Sequence, residues 1–139
     1  MNSFSASWDP LEKKVHLDFE LASRNAVKKL SPETQIRYCF FHLSQAVWRH
    51  VQRDGFQKIY VENENFRTGV KKLLCLAILL AEDVITGFEI LRRGNEDESF
   101  QTICDYLEET YIGAWRGLRR LNPKFQICEW NLYERVLDG

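Results

Sequence analysis

The residue with the clearest potential for chemistry is Asp18, an acid that directly follows the apolar segment 15–17. A carboxylate at the end of a strand is held in place by the sheet and can coordinate a hard cation such as Mg²⁺. Metal-assisted phosphoryl transfer needs several oxygen ligands around two closely spaced ions, so a single acid is not sufficient. Asp18 also stands where a helix N-cap belongs, with Glu20 in the first turn, and capping is the more common role for this pattern.

Cys39 and His42 form a C-x-x-H pair, which can supply two of the four ligands of a structural zinc site. The sequence contains no second closely spaced pair, so the other two ligands would have to come from distant positions. A buried cysteine beside a hydrogen-bonded histidine is the simpler explanation, with a small zinc-structured domain as the alternative. The four cysteines are widely scattered, which favours reduced thiols over a disulfide framework.

Basic side chains cluster after Trp115, at Arg116, Arg119, Arg120 and Lys124. Arginines next to an aromatic residue can contact phosphates and stack on bases, which makes these four residues candidates for DNA binding. A solvated loop is the ordinary explanation of such a run. The formal net charge of the whole chain is only −1, so no global field favours DNA or a membrane surface.

The 139 residues suffice for one domain with a sizeable core. Apolar and β-branched patterns predict strands at 14–18 and 35–41, and residues 1–13 are predicted to form a loose start. Helical spacing of apolar residues predicts helices at 19–30 and 43–53, with Gly55 as the stop of the second. Two strands make a poor sheet alone, so this opening looks like half of an α/β core.

After Gly55 the pattern is helical throughout. We predict a helix over 66–80, capped by Asn63 or Asn65, and an apolar run within it that is too short to span a bilayer. Further elements are predicted as helices at 82–93 and 98–110, an arginine-containing connection at 111–124 and a short helix at 130–137. The predicted fold class is α/β, mainly helical, and no membrane is expected as a partner.

Several motifs, taken in order, resemble the mutator-like element (MULE) family of DDE transposases. They are D-F-E-x-A at 18–22, C-x-x-H with its continuation at 39–48, the apolar helix at 73–77, Thr-Tyr-Ile-Gly with the following arginines at 110–120, and the segment 130–136. The resemblance covers nearly all of residues 15–139. It implies DNA transposition by the intact family and an RNase H-like core in which three acids bind Mg²⁺ or Mn²⁺. It also implies a helical insertion between the second and third acids.

By this resemblance Asp18 corresponds to the second catalytic acid, and Cys39 and His42 belong to a supporting motif. The implied domains are a partial RNase H-like core of two strands and two helices at 14–55, a helical insertion at 56–124 and a return segment at 125–139. The first and third acids are expected outside these segments. The chain alone is therefore expected to be catalytically incomplete and to hold Mg²⁺ weakly at Asp18. DNA as a partner and a nuclear location, otherwise cytoplasmic, are also implied.

A sheet of two strands leaves an edge at 35–41, so self-association, or a second chain that completes the sheet, is expected. Members of the family tend to carry prolines between the first two insertion helices, whereas Leu80 and Ala81 stand there, so these helices are expected to be less sharply separated.

The alternative function is a non-enzymatic DNA- or protein-binding module that uses the basic patch at 116–124.

Overall fold

The computed structural model describes residues 6–9, 14–17, 21–30, 35–38 and 40–137, and this part of the chain is mainly helical. In chain order the elements are β1 (Ala6–Asp9), β2 (Lys14–Leu17), α1 (Leu21–Leu30), β3 (Gln35–Tyr38), α2 (Phe40–Arg53), α3 (Gln57–Glu62), α4 (Glu64–Cys75), α5 (Val84–Arg93), α6 (Glu98–Leu107), β4 (Trp115–Arg116), β5 (Arg119–Arg120), α7 (Ile127–Trp130) and α8 (Tyr133–Leu137). Two 3₁₀ turns (Leu76–Ile78 and Ala81–Asp83) and a π-helical turn (Glu108–Ile112) extend or precede these helices.

The amino-terminal sheet has three strands in the order β1–β2–β3. β1 is antiparallel to β2, whereas β2 and β3 are parallel and α1 lies between them in the chain, as a parallel pair requires. The two predicted strands are thus confirmed over 14–17 and 35–38. The loose start predicted for 1–13 is wrong at β1, because Ala6 and Trp8 alternate with polar residues in the strand pattern.

Helix α2 begins at Phe40, earlier than predicted, and buries Leu43, Val47 and Val51 along one face. Its end has the hydrogen bonds of a Schellman motif, because the amide of Phe56 donates to the carbonyl of Val51 and that of Gly55 to Gln52. Gly55 has φ +76°, a left-handed conformation that favours glycine. The predicted stop at Gly55 is therefore confirmed.

One hydrophobic core joins α2 to the helices that follow it. Its fully buried members include Val47 from α2, Phe66 from α4, Phe88 from α5 and Phe100 from α6. Helices α4 and α6 approach closely at Gly69, where a Cβ atom would lie 2.7 Å from a ring carbon of Phe100. The apolar run at 73–81, expected to be a buried helix, contributes Leu73, Leu76 and Ala77 to this core, whereas Ile78, Leu79 and Leu80 are exposed.

The predicted helix over 66–80 is shorter than expected at its end. Asn63 caps α4, since its side chain accepts a hydrogen bond from the amide of Phe66 at 3.0 Å. The chain then becomes extended at Leu79 and Leu80, so the expectation of weakly separated helices is wrong. Tertiary hydrogen bonds explain the break, because the carbonyl of Leu79 accepts from Asn131 and that of Ala77 from the amide of Leu132.

The remaining differences between the predicted and the observed secondary structure lie in short elements. Helix α3 was not predicted, and the connection at 111–124 contains both the end of the π-helical turn and the β4–β5 hairpin. The short helix expected at 130–137 is two helices, α7 and α8, separated by the extended residue Asn131. Asn131 is held out of a helix by its hydrogen bond to the carbonyl of Leu79.

Candidate functional site

The parallel pair β2–β3 determines where the chain leaves the sheet toward Asp18 and Cys39. Leu17 lies opposite Tyr38, and Asp18 and Cys39 are the next residues in sequence. Both strands therefore end at one edge of the sheet, the edge at which α/β proteins usually bind ligands. Asp18 and Cys39 themselves lie outside the described residues. His42 is described: it is half-buried on the first turn of α2, and its ring packs edge-on against Phe41 with centroids 5.6 Å apart.

Asp9 is not placed to complete a metal site with an acid beyond Leu17. The antiparallel register sets Ala6 opposite Leu17 and Asp9 opposite Lys14. Asp9 therefore lies at the other end of β2, about 10 Å along the strand, whereas paired metal ions are about 3.5–4 Å apart.

The described residues provide no donor set that fits Mg²⁺, Mn²⁺ or Zn²⁺. Among them, no group of three or more His, Cys, Asp and Glu side chains is placed to hold a metal ion. No catalytic step through a metal ion follows from these residues, and the roles of Asp18, Cys39 and His42 stay predictions.

Arg120, one of the four predicted DNA contacts, lies in a network of ion pairs. Its side chain is only 11% exposed. Its Nη2 atom lies 2.9 Å from Oε1 of Glu89, and its Nη1 atom donates to Oε2 of Glu108 at 2.9 Å and to the carbonyl of Gly113 at 2.7 Å. The guanidinium also stacks 4.6 Å from the ring centre of Trp115. Arg120 is therefore placed to fix the hairpin and not to present a free charge.

Arg92 extends this network from α5. Its guanidinium pairs with Asp105 on α6 and lies 3.5 Å from Oε1 of Glu108. A cleft of about 300 Å³ lies beside the network, with Phe88 and Trp115 among its lining residues. Since Glu108 contacts two arginines, the network links α5, α6 and the hairpin.

The other three predicted DNA contacts, Arg116, Arg119 and Lys124, are exposed. Arg116 and Arg119 lie opposite each other on β4 and β5, across a turn that contains Gly117 and Leu118. Gly117 has φ +64°, and Leu118 is fully exposed, at 101%. The hairpin was not predicted, although glycine at the first position of a two-residue loop is typical of one class of hairpin turn.

The base of the hairpin is fixed at Gly113, which directly follows the π-helical turn. Its amide donates to the carbonyl of Glu108 at 2.6 Å, and its φ is +105°. A Cβ atom at this position would lie 2.0 Å from the carbonyl oxygen of Leu121. The amide of Leu121 in turn donates to the carbonyl of Ala114 at 2.7 Å. Only glycine fits this close approach of two backbone segments.

Residues from two of the quoted motifs, 110–120 and 130–136, pack together in the core. Trp130 donates from Nε1 to the carbonyl of Tyr111 at 3.2 Å, and the two rings pack edge-on with centroids 6.0 Å apart. Asn131 donates from Nδ2 to the carbonyl of Leu79 at 2.7 Å. The direct role of these motif residues is thus to join the π-helical turn, the break after α4 and the segment 130–132.

The carboxyl-terminal segment also returns to the amino-terminal elements. Helix α7 contacts β3, and Nζ of Lys28 on α1 lies 3.2 Å from Oε1 of Glu129. The side chain of Glu129 is only 5% exposed, so the carboxylate of this ion pair is largely shielded from solvent. The predicted domain boundaries stay predictions. Helix α2 shares one hydrophobic core with the helices after residue 56.

Titratable groups with perturbed pKa values lie where α2 meets α6. Nε2 of His50 lies 3.0 Å from Oδ2 of Asp54, and its ring stacks on Tyr106 with centroids 3.8 Å apart. Burial lowers the pKa of His50, an effect that Asp54 opposes. Burial also raises the pKa of Tyr106, and that of Cys104 to about 12, so Cys104 is a protonated, inert thiol at neutral pH.

Within the part of the chain that the structure covers, no helix has both the length and the apolar character needed to cross a bilayer. The chain matches no model of a protein family, no curated protein and no solved structure.

Proposed function

We propose that this chain is part of a MULE-type DDE transposase, with a segment of an RNase H-like core followed by a helical insertion, and that it is not catalytic on its own. The observation that carries the proposal is the parallel β2–α1–β3 unit. It brings the ends of β2 and β3 to one edge of the sheet, immediately before Asp18 and Cys39. An acid after such a strand is well positioned to hold a metal ion.

The packing of the motif residues gives separate support. Segments 110–113 and 130–136, which carry part of the resemblance, meet through Tyr111 and Trp130. Helix α7 returns to β3, as a segment that leads back to the core would. A sheet that another chain or segment completes, DNA as a partner and a nuclear location are parts of the same proposal.

The catalytic part of the proposal rests on a requirement for three acids. Asp18 is the only residue of this chain that corresponds to one of them, and a lone carboxylate holds a hydrated Mg²⁺ ion weakly. We therefore expect that the purified 139-residue chain does not nick supercoiled plasmid DNA with Mg²⁺ or Mn²⁺. Metal-dependent nicking that is lost in Asp18→Ala would contradict the proposed incompleteness.

The family assignment itself is tested on the endogenous protein. An antibody against the helical region and intact-mass analysis would show whether the species is near 16.5 kDa or larger. A larger species would be assayed for strand transfer with Asp18→Asn as the variant and Asp9→Asn as the matched control. Loss of transfer in the first variant alone supports Asp18 as a catalytic acid. Full activity of Asp18→Asn would remove that role.

A second candidate function is a non-enzymatic DNA-binding module. It is favoured by Arg116, Arg119 and Lys124, which are exposed on and beside one hairpin. Fluorescence anisotropy with a labelled duplex would measure binding, and the salt slope should fall by about one for each phosphate contact that is removed. Unchanged binding in a variant with glutamine at all three positions would exclude this patch.

A further inference from the structure

We infer that the β4–β5 hairpin is a DNA wedge, in which Arg116 and Arg119 grip phosphates beside the minor groove and Leu118 inserts against a base step. This inference rests on the proposed DNA-binding function. It adds the residues that make contact, the groove from which Leu118 inserts and a deformation of the DNA.

The hairpin has two faces with different roles. Directly opposite residues on paired strands point to the same side, so Trp115 and Arg120 share one face and Arg116 and Arg119 share the other. The first face is anchored, because Arg120 binds Glu89, Glu108 and the carbonyl of Gly113. The second face is exposed. The Arg116–Arg119 face is therefore fully open to a partner, whereas the other face is partly covered, with Arg120 paired and Trp115 54% exposed.

The available face carries two like charges in direct opposition. Directly opposite side chains on antiparallel strands have Cβ atoms about 4.5–5.5 Å apart, and like charges there destabilise the pair. Within the described residues, neither Arg116 nor Arg119 has a carboxylate at ion-pair distance. Binding of an anion between or beside the two guanidinium groups would relieve this repulsion. Phosphate suits them because arginine recognises it through two parallel hydrogen bonds.

Leu118 gives the hairpin an apolar tip. It is the most exposed of the large apolar side chains that the structure describes, at 101%, and it lies between the two arginines in sequence. Proteins that kink DNA from the minor groove combine basic and polar side chains in the groove with an apolar wedge between base steps, and arginines beside the groove can contact phosphates. A fully exposed leucine flanked by two exposed arginines matches this combination, and duplex DNA is the partner to which the inference commits.

The anchoring fixes the base of the hairpin. Gly113 and Leu121 are in backbone contact at the base of the hairpin, and Arg120 holds β5 to α5 and to the π-helical turn. A preorganised element loses less entropy when it binds, so more of its contact energy appears as affinity. The ion pairs of Arg120 therefore position the hairpin for binding.

The experiment uses the full chain and a short duplex that contains a flexible TA step, with 2-aminopurine at that step and fluorescent dyes at both ends. Arg116→Gln/Arg119→Gln is compared with Arg49→Gln/Lys71→Gln, which removes the same charge from exposed positions on α2 and α4. Urea unfolding of each variant verifies that it is folded. We expect the first variant to lose about tenfold in affinity and about two units of salt slope, and the control to change much less.

Leu118→Ala tests the wedge separately from the charges. We expect it to keep the salt slope of the wild type but to abolish the increase in 2-aminopurine fluorescence and the change in energy transfer that report unstacking and bending. A wild-type chain that is folded but binds no duplex would overturn both the inference and the DNA-binding function. The same holds for a chain that binds anionic lipid vesicles and not DNA.

The remaining outcomes separate the inference from the function on which it rests. DNA binding by the wild type, with the same loss in both double variants, would keep the DNA-binding function and overturn the role of Arg116 and Arg119. DNA bending by Leu118→Ala equal to that of the wild type would overturn the wedge.

Discussion

The Nη1 atom of Arg120 lies 2.9 Å from Oε2 of Glu108, twelve residues earlier in the chain. This contact closes the β4–β5 hairpin onto the π-helical turn from which it emerges. Arg120 also reaches Glu89 on α5, so one guanidinium joins three segments of the fold.

Replacing Arg120 with methionine should destabilise the protein by about 2 kcal/mol. The change leaves Glu89 and Glu108 without this partner, and loss of one member of a shielded ion pair is costly. The side chains of these glutamates are 31% and 18% exposed, so the cost should fall below that of a fully buried pair. Urea unfolding measures the difference. Arg119→Met, at an exposed position, is the control and should change stability by less than about 0.5 kcal/mol. Equal losses would contradict the anchoring role.

Gly113→Ala should destabilise the protein by more than about 3 kcal/mol, because it combines backbone strain with a steric clash. The new Cβ atom would lie 2.0 Å from the carbonyl oxygen of Leu121. Gly117→Ala is the matched control: its φ is also positive, but a Cβ atom there meets nothing within 4 Å. We expect the control to cost about 1–2 kcal/mol. Melting temperatures of the two variants should differ clearly, and similar values would argue against the close approach at Gly113.

Acidification should remove stability through His50. Burial lowers the pKa of folded His50 below its ordinary value of 6.5. The unfolded chain therefore takes up the proton first, so the contribution is complete above about pH 6.5 and is lost as the pH falls toward the folded pKa. His50→Phe retains an aromatic ring against Tyr106 but cannot titrate. Urea unfolding at several pH values should show a smaller acid loss in this variant. An identical pH dependence in both proteins would show that another group is responsible.

Cys104 should resist alkylation in the folded protein. It is fully buried and its pKa is raised to about 12, so almost no thiolate is present near neutral pH. Cys75 and Cys128 are exposed and should react first with iodoacetamide. Peptide mass spectrometry after timed labelling assigns each site, and denatured protein is the control in which Cys104 becomes reactive. Labelling of Cys104 at the rate of Cys75 would mean that α6 opens readily.

Local signals in the sequence were sufficient for several helix boundaries. Asn63 caps α4 and Gly55 ends α2 through contacts with near neighbours in the chain. The break at Leu79 and Leu80 was beyond such reasoning, because both residues favour helix and the partner Asn131 lies 52 positions away. Strand β1 was missed because its alternation covers only four residues.

The difference between local signals and tertiary contacts also applies to the basic patch at 116–124. Its composition predicted a nucleic-acid contact, but nothing in the local sequence separates Arg120 from Arg116 and Arg119. The difference is tertiary, since Glu89 lies 31 residues before Arg120. The full exposure of Leu118 likewise follows only from the hairpin geometry.

The π-helical turn at Glu108–Ile112 makes the fold sensitive to chain length. Such a turn is equivalent to one residue added to an α-helix, so loss of Glu109 would let α6 continue regularly. Each residue of an α-helix turns by about 100°, so the register of every following residue would shift by that angle. Tyr111 would then leave the core contact with Trp130, and Gly113 would no longer stand where the backbone crosses Leu121. At this point in the chain, a one-residue deletion should therefore be far more damaging than most substitutions.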